Sequence, residues 1–137
     1  MAVQILIVTA IGVRLAIILI VEDDVFTGLA AELMVGDLGH DTFLVSAPDE
    51  AMSHLRSSQE IDMLFTDIRL KTAAVGGCEL AHLAIKLRPG LRVLYTSGSF
   101  KTDAMTAMFV EGAGFLQKPY SQPQLQDSMN ALLAASF

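Results

Sequence analysis

Short apolar runs alternate along the chain with stretches in which apolar residues recur every three or four positions. Ile17 to Val21, Thr42 to Val45, Ile61 to Thr66, Leu91 to Tyr95 and Phe115-Leu116 read as strands. Buried parallel strands carry continuous apolar runs of this kind rather than strict alternation. The intervening spacings of three and four mark one buried face of a helix. Phe26, Leu29, Ala30, Leu33, Met34 and Leu38 form such a face, and Gly39 stands where a left-handed cap would end the helix. Ser46 or Ala47 caps the next helix, Pro48-Asp49-Glu50 opens it, and Met52 and Leu55 point inward. A long loop runs from Ile68 through Gly76-Gly77. A third helix follows with Leu80, Leu83, Ala84 and Leu87 on one face, stopped by Arg88-Pro89-Gly90. A fourth is expected from about Thr102 to Glu111, with Met105, Met108 and Phe109 apolar and Gly112 ending it. The last runs from Ser121 to Ala135, with Leu125, Met129, Leu132 and Leu133 inward.

Five strand–helix repeats imply a parallel sheet, because each right-handed crossover needs a helix to bring the chain back. The expected architecture is a doubly wound (βα)5 sandwich in three layers, strand order 2-1-3-4-5, over residues 15–137. Residues 1–14 are set apart as an amino-terminal extension. Val3 to Val21 is almost wholly apolar and nearly as long as a membrane span. Arg14 falls near its middle, however, where a cation costs about 2.5–3.5 kcal/mol on insertion scales. A strand-like segment from Gln4 to Thr9, followed by the first strand of the sheet, accounts for the run without a membrane.

Composition narrows the function. The 137 residues are 53% hydrophobic and 18% charged, which suits one compact domain. Nine basic against fifteen acidic residues give a net charge of −6, with no basic cluster to meet a nucleic acid. The single cysteine, Cys78, cannot pair within the chain, which favours a reducing, cytoplasmic setting. His40, His54 and His82 fall in no metal-ligand spacing.

The chemistry gathers at the carboxyl ends of the strands, where open α/β sheets bind ligands. Met63-Leu64-Phe65-Thr66 runs into Asp67; Ile17 to Val21 runs into Glu22-Asp23-Asp24; Leu91 to Tyr95 into Thr96-Ser97; and Ala113 to Gln117 into Lys118-Pro119. The expected strand order brings Glu22, Asp23 and Asp67 into one pocket. Like charges at that range disfavour ionisation. A hard divalent cation reverses the effect, and a few carboxylates plus waters suit Mg2+.

These motifs, Val21-Glu22-Asp23-Asp24, Thr66-Asp67, Tyr95-Thr96-Ser97-Gly98 and Gln117-Lys118-Pro119-Tyr120, resemble those of two-component response regulator receiver domains, which have a flavodoxin-like fold. The resemblance covers Leu15 to the carboxyl terminus. It implies that Asp67 is the phosphoacceptor and that Glu22 and Asp23 hold Mg2+ with it, Asp24 being peripheral. It further implies that Thr96 is the switch hydroxyl, that Lys118 is the cation pairing with the phosphoryl group, and that Phe115 is the aromatic that changes rotamer. A cis peptide before Pro119 belongs to the same pattern. The implied partner is a sensor histidine kinase or histidine phosphotransfer protein, with an unspecified downstream protein target and homodimerisation open. Such a protein modifies its own side chain and is not a turnover enzyme.

Two features depart from the family pattern. Lys71 stands where a proline is usual, and the loop before Gly77 is about two residues longer than the common form. Arg69 and Gly98, two residues past Asp67 and Thr96, lead us to expect slow self-hydrolysis. A dehalogenase-type phosphatase would need an acid where Arg69 stands. An FMN carrier would need a phosphate-cradling loop where the chain has Glu22-Asp23-Asp24. The remaining alternative is a pseudo-receiver that binds partners without being phosphorylated.

Overall fold

The computed structural model describes residues 15–71 and 76–134. The expected extension over 1–14, the strand-like segment Gln4 to Thr9 and the last residue of the final helix, Ala135, lie outside the described residues. In chain order the elements are β1 (Ile17–Val21), α1 (Val25–Asp37), β2 (Asp41–Val45), α2 (Pro48–Arg56), β3 (Met63–Asp67), α3 (Gly77–Leu87), β4 (Arg92–Ser97), α4 (Asp103–Thr106), β5 (Gly114–Gln117) and α5 (Gln122–Ala134). All neighbouring strands are parallel, in the expected order β2-β1-β3-β4-β5.

Side chains alternate across the sheet and feed two cores. Leu19, Val21, Leu64 and Tyr95 pack on one face against Ala51 and Leu55 of α2 and Leu80 and Ala84 of α3. Ile18, Ile20, Phe65, Leu94 and Leu116 pack on the other against Ala31 and Val35 of α1 and Leu125 and Met129 of α5. Among the described residues no helix is long and apolar enough to cross a membrane.

Three helical expectations need correction. In α1 the buried residues are Gly28, Ala31 and Val35, with Met34 and Leu38 only half-buried, while Phe26 is 83% and Leu33 69% exposed. The helix is apolar on nearly every side, so two faces fit the spacing rule. The sheet selects the face of small residues: a Cβ on Gly28 would come within 3.2 Å of the Leu44 side chain. In α3 the same thing happens. Gly77, Cys78, Leu80, Ala81 and Ala84 are buried, and Leu83 and Leu87 face outward. The fourth helix is a single turn, Asp103–Thr106, rather than a span to Glu111. Its last bonds tighten to three-residue spacing, Met108 N–H to Met105 O and Phe109 N–H to Thr106 O. The Val110 N–H then goes to the Tyr95 hydroxyl at 3.1 Å instead of continuing the helix. Burial pushes the Tyr95 phenol up to about 12, so it stays neutral in that role.

The far end of the sheet carries a pH-sensitive bond. The Ala16 N–H donates to His40 Nδ1 at 3.0 Å, which requires a neutral ring with Nδ1 unprotonated. Burial lowers the pKa of His40, while the charges of Asp41 and Asp62 pull the other way. A base with a folded pKa below its unfolded value contributes stability that is present above about pH 6.5 and lost as pH falls through the folded value. The urea midpoint should therefore drop between pH 7.5 and 5.5, and drop less in His40→Asn, whose Oδ1 can accept the same bond without titrating. Equal slopes for the two proteins would show that His40 is not responsible.

Candidate functional site

Four of the five strands, β1, β3, β4 and β5, deliver polar groups to the carboxyl edge of the sheet. β1 ends at Val21, and the Glu22 N–H extends the ladder to Val45 O at 3.1 Å, which fixes Glu22 over the switch point. Asp24 is used structurally. Its Oδ2 accepts the Thr27 hydroxyl at 2.5 Å and the Thr27 N–H at 2.9 Å as the cap of α1, and these bonds hold its pKa down. That leaves Glu22 and Asp23 for the pocket. β3 ends on Asp67, buried, with the start of α3 pressed against its main chain. A Cβ on Gly77 would lie 2.0 Å from the Asp67 carbonyl oxygen, so no side chain is tolerated there without moving the strand end or the helix. The Gly77 N–H also donates to Ile68 O at 2.9 Å.

Lys118 enters from the end of β5, its N–H bonded to Ser97 O at 2.9 Å, and the Lys118–Pro119 peptide is cis. Its Nζ donates to Glu22 Oε1 at 2.6 Å and to Asp67 Oδ2 at 2.9 Å. Burial works against the Lys118 ammonium, but the bonds to Glu22 and Asp67 outweigh it and its pKa is raised. Glu22 is also raised, by burial first, with the charge of Asp67 adding to it and the Lys118 and Asp24 bonds opposing it. The Gln117 amide ties down the neighbouring loop by donating to Gly98 O at 2.9 Å and Ser97 O at 3.3 Å.

Glu22, Asp23 and Asp67 each offer a carboxylate oxygen, and these oxygens lie within 4.8 Å of one another. Three convergent carboxylate oxygens, one acid half-buried and the others buried, form a hard donor set that suits a divalent cation keeping several of its waters. The fit to Mg2+ is therefore good.

The two hydroxyls of β4 are separated by the pleat. Thr96 pairs with Leu116, on the α1–α5 face, and donates its hydroxyl proton to Leu116 O at 2.8 Å. Phe115 pairs with Tyr95 on the opposite face, stacked at 6.1 Å on Phe109, which in turn stacks on Tyr95 at 4.3 Å. Thr96 and Phe115, the two residues that the resemblance gives switch roles, therefore lie on opposite faces of the sheet. Ser97, one residue further along, shares the Phe115 face. Its oxygen accepts the Ser99 N–H at 3.1 Å, which leaves its own proton for another acceptor. The apolar run stops at Tyr95, which by itself leaves both hydroxyls at the strand end without distinguishing their faces. Continuing the alternation through Ser97 would have separated them.

The geometry agrees with the comparisons. The profile of the response regulator receiver domain matches residues 18–130. A response regulator receiver protein from Sinorhizobium medicae is 27% identical, with 90% of this chain and 98% of that one aligned and a TM-score of 0.82. NtrX from Brucella abortus is 26% identical with a TM-score of 0.82 over 90% of this chain, which spans only 28% of NtrX. A CheY-like receiver domain protein from Methanospirillum hungatei shares the fold at 22% identity and a TM-score of 0.79. No curated protein matches the chain. The chain belongs to the response regulator receiver domain family. Membership places its chemistry on its own side chain rather than in turnover of a substrate.

Proposed function

We propose that Asp67 is the phosphoacceptor of a two-component or phosphorelay system, with the phosphoryl group coming from a histidine kinase or histidine phosphotransfer protein. One observation carries the reading: Asp67, Glu22, Asp23 and Lys118, brought from three strand ends, converge on one spot. An Asp67 carboxylate oxygen forms the new bond to phosphorus as the bond to the donor imidazole nitrogen breaks, and the imidazole leaves with that electron pair. Mg2+ held by Glu22, Asp23 and Asp67 would supply positive charge to the transferring oxygens. Lys118 already spans Glu22 and Asp67 and supplies a second positive charge without rearranging. Phosphoryl transfer asks mainly for such positioning and charge neutralisation.

The hydroxyl role fits Ser97 better than Thr96. Thr96 has committed its proton to Leu116 O, and only Ser97 shares a face with Phe115, through which a phosphoryl contact could reach the α4 turn. Val25, Phe26, Leu29 and Leu33 of α1 are exposed, and Phe26 lines a cavity that also reaches Lys118, which supports docking of the donor protein on α1. A phosphoryl-driven change can be no larger than the differential binding energy of the two packings.

The direct test is incubation with acetyl phosphate and Mg2+. Hydroxylamine-labile label that disappears with EDTA supports acceptor chemistry; no label supports the pseudo-receiver. For the hydroxyls, Ser97→Ala should slow labelling on the order of tenfold to a hundredfold, at or below the low end of what loss of a charge-stabilising donor costs. Thr96→Val should label at close to the wild-type rate. The reverse order would return the role to Thr96.

A further inference from the structure

The loop after β3 departs from its family pattern at Lys71, and the structure shows a use for the departure. Leu70 is buried in the α2–α3 core and anchors the chain just before it. The Lys71 main-chain N–H then donates to Asp23 Oδ2 at 2.6 Å, across 48 residues of sequence. A proline at this position has no N–H and could not make the bond. The Lys71 side chain is exposed and its charge acts on Asp24; the bond to Asp23 comes from the main chain, not the ammonium. Two residues earlier, the Arg69 N–H reaches Asp67 Oδ1 at 3.3 Å. The main chain of Arg69 and Lys71 thus holds two of the three carboxylates.

We propose that the Lys71 amide is a positioning group that aims the Asp23 carboxylate into the cation site and so couples the β3–α3 loop to cation occupancy. Hydrogen bonds from outside the ligand set orient metal-binding carboxylates, and losing one costs roughly tenfold to a hundredfold in affinity. The inference rests on the proposed Mg2+ site and is separable from it.

Calorimetric titration of the full chain with Mg2+ provides the test. Lys71→Pro should bind Mg2+ about tenfold or more weakly than wild type, and Lys71→Ala, which keeps the N–H and loses only a positive charge, should bind no more weakly than wild type. Equal affinity in Lys71→Pro overturns the inference, and so does an equal loss in Lys71→Ala, which would assign the effect to the side chain. Absence of Mg2+ binding in the wild type would instead remove the cation site itself. Because the proline could disturb the loop, amide exchange in the unsubstituted loop gives a second reading. The Lys71 N–H should be protected in wild type and lose protection in Asp23→Ala; an amide that exchanges freely in both overturns the proposal.

Discussion

Asp67→Asn is expected to take up no hydroxylamine-labile label from acetyl phosphate under conditions where the wild-type chain labels readily. The substitution is nearly isosteric. The asparagine oxygen can still accept from Lys118 Nζ, which lies 2.9 Å from Asp67 Oδ2; the amide nitrogen then faces the Arg69 N–H, so that long 3.3 Å bond is lost while the fold survives. What is lost is the anionic oxygen that must attack phosphorus, and an amide cannot form an acyl phosphate. The expected loss is complete, unlike that from removing a stabilising group. Label above a few per cent of wild type in a well-folded Asp67→Asn protein would move the acceptor to Glu22 or Asp23, the other acids of the cluster.

Lys118→Met should produce the next largest change, with effects in two directions. The ammonium is the counter-charge shared by Glu22 and Asp67, at 2.6 and 2.9 Å. Without it the phosphoryl oxygens lose a fixed positive charge, and the labelling rate should fall on the order of a hundredfold. The unmodified protein should also become less stable by about 2–3 kcal/mol. That is below the 3–5 kcal/mol of a fully buried broken pair, because the Lys118 side chain keeps 22% of its exposure. The carboxylates left behind would repel one another, and a divalent cation relieves the same repulsion. Mg2+ should therefore raise the melting temperature of Lys118→Met more than that of wild type. A smaller Mg2+ response in the variant would mean that Lys118 and the cation do not compete for the same charges.

Strand order and the carboxyl ends of β1, β3 and β5 were legible to within a residue from apolar runs, crossovers and a few chemically distinctive residues, whereas the apolar run of β4 stops two residues short of the strand's end at Ser97. Asp67, Glu22, Asp23 and Lys118 could be placed by knowing only where each run stops. The inward face of α5 was equally plain, since Leu125, Met129, Leu132 and Leu133 are its only large apolar stripe. In α1 the same reasoning chose Phe26, Leu29 and Leu33, which the structure leaves outside. Where a helix is apolar all round, periodicity cannot choose between faces, and close approach to the sheet favours the one lined by Gly28 and Ala31. The short α4 depends on a tertiary bond, from Val110 to the Tyr95 hydroxyl, which no local pattern announces. The Lys71–Asp23 bond is of the same kind, since a main-chain donor leaves no mark in the residue type beyond not being proline.

The account stands or falls on which atom receives the phosphoryl group. An acyl phosphate is reduced by borohydride to the alcohol, so an aspartate that has accepted phosphorus is converted to homoserine. Peptide mass spectrometry after acetyl phosphate, Mg2+ and borohydride should find homoserine at position 67, absent when Mg2+ is chelated. Homoserine at position 23, or an unreduced Asp67 in a protein whose Mg2+ site is filled, would contradict it.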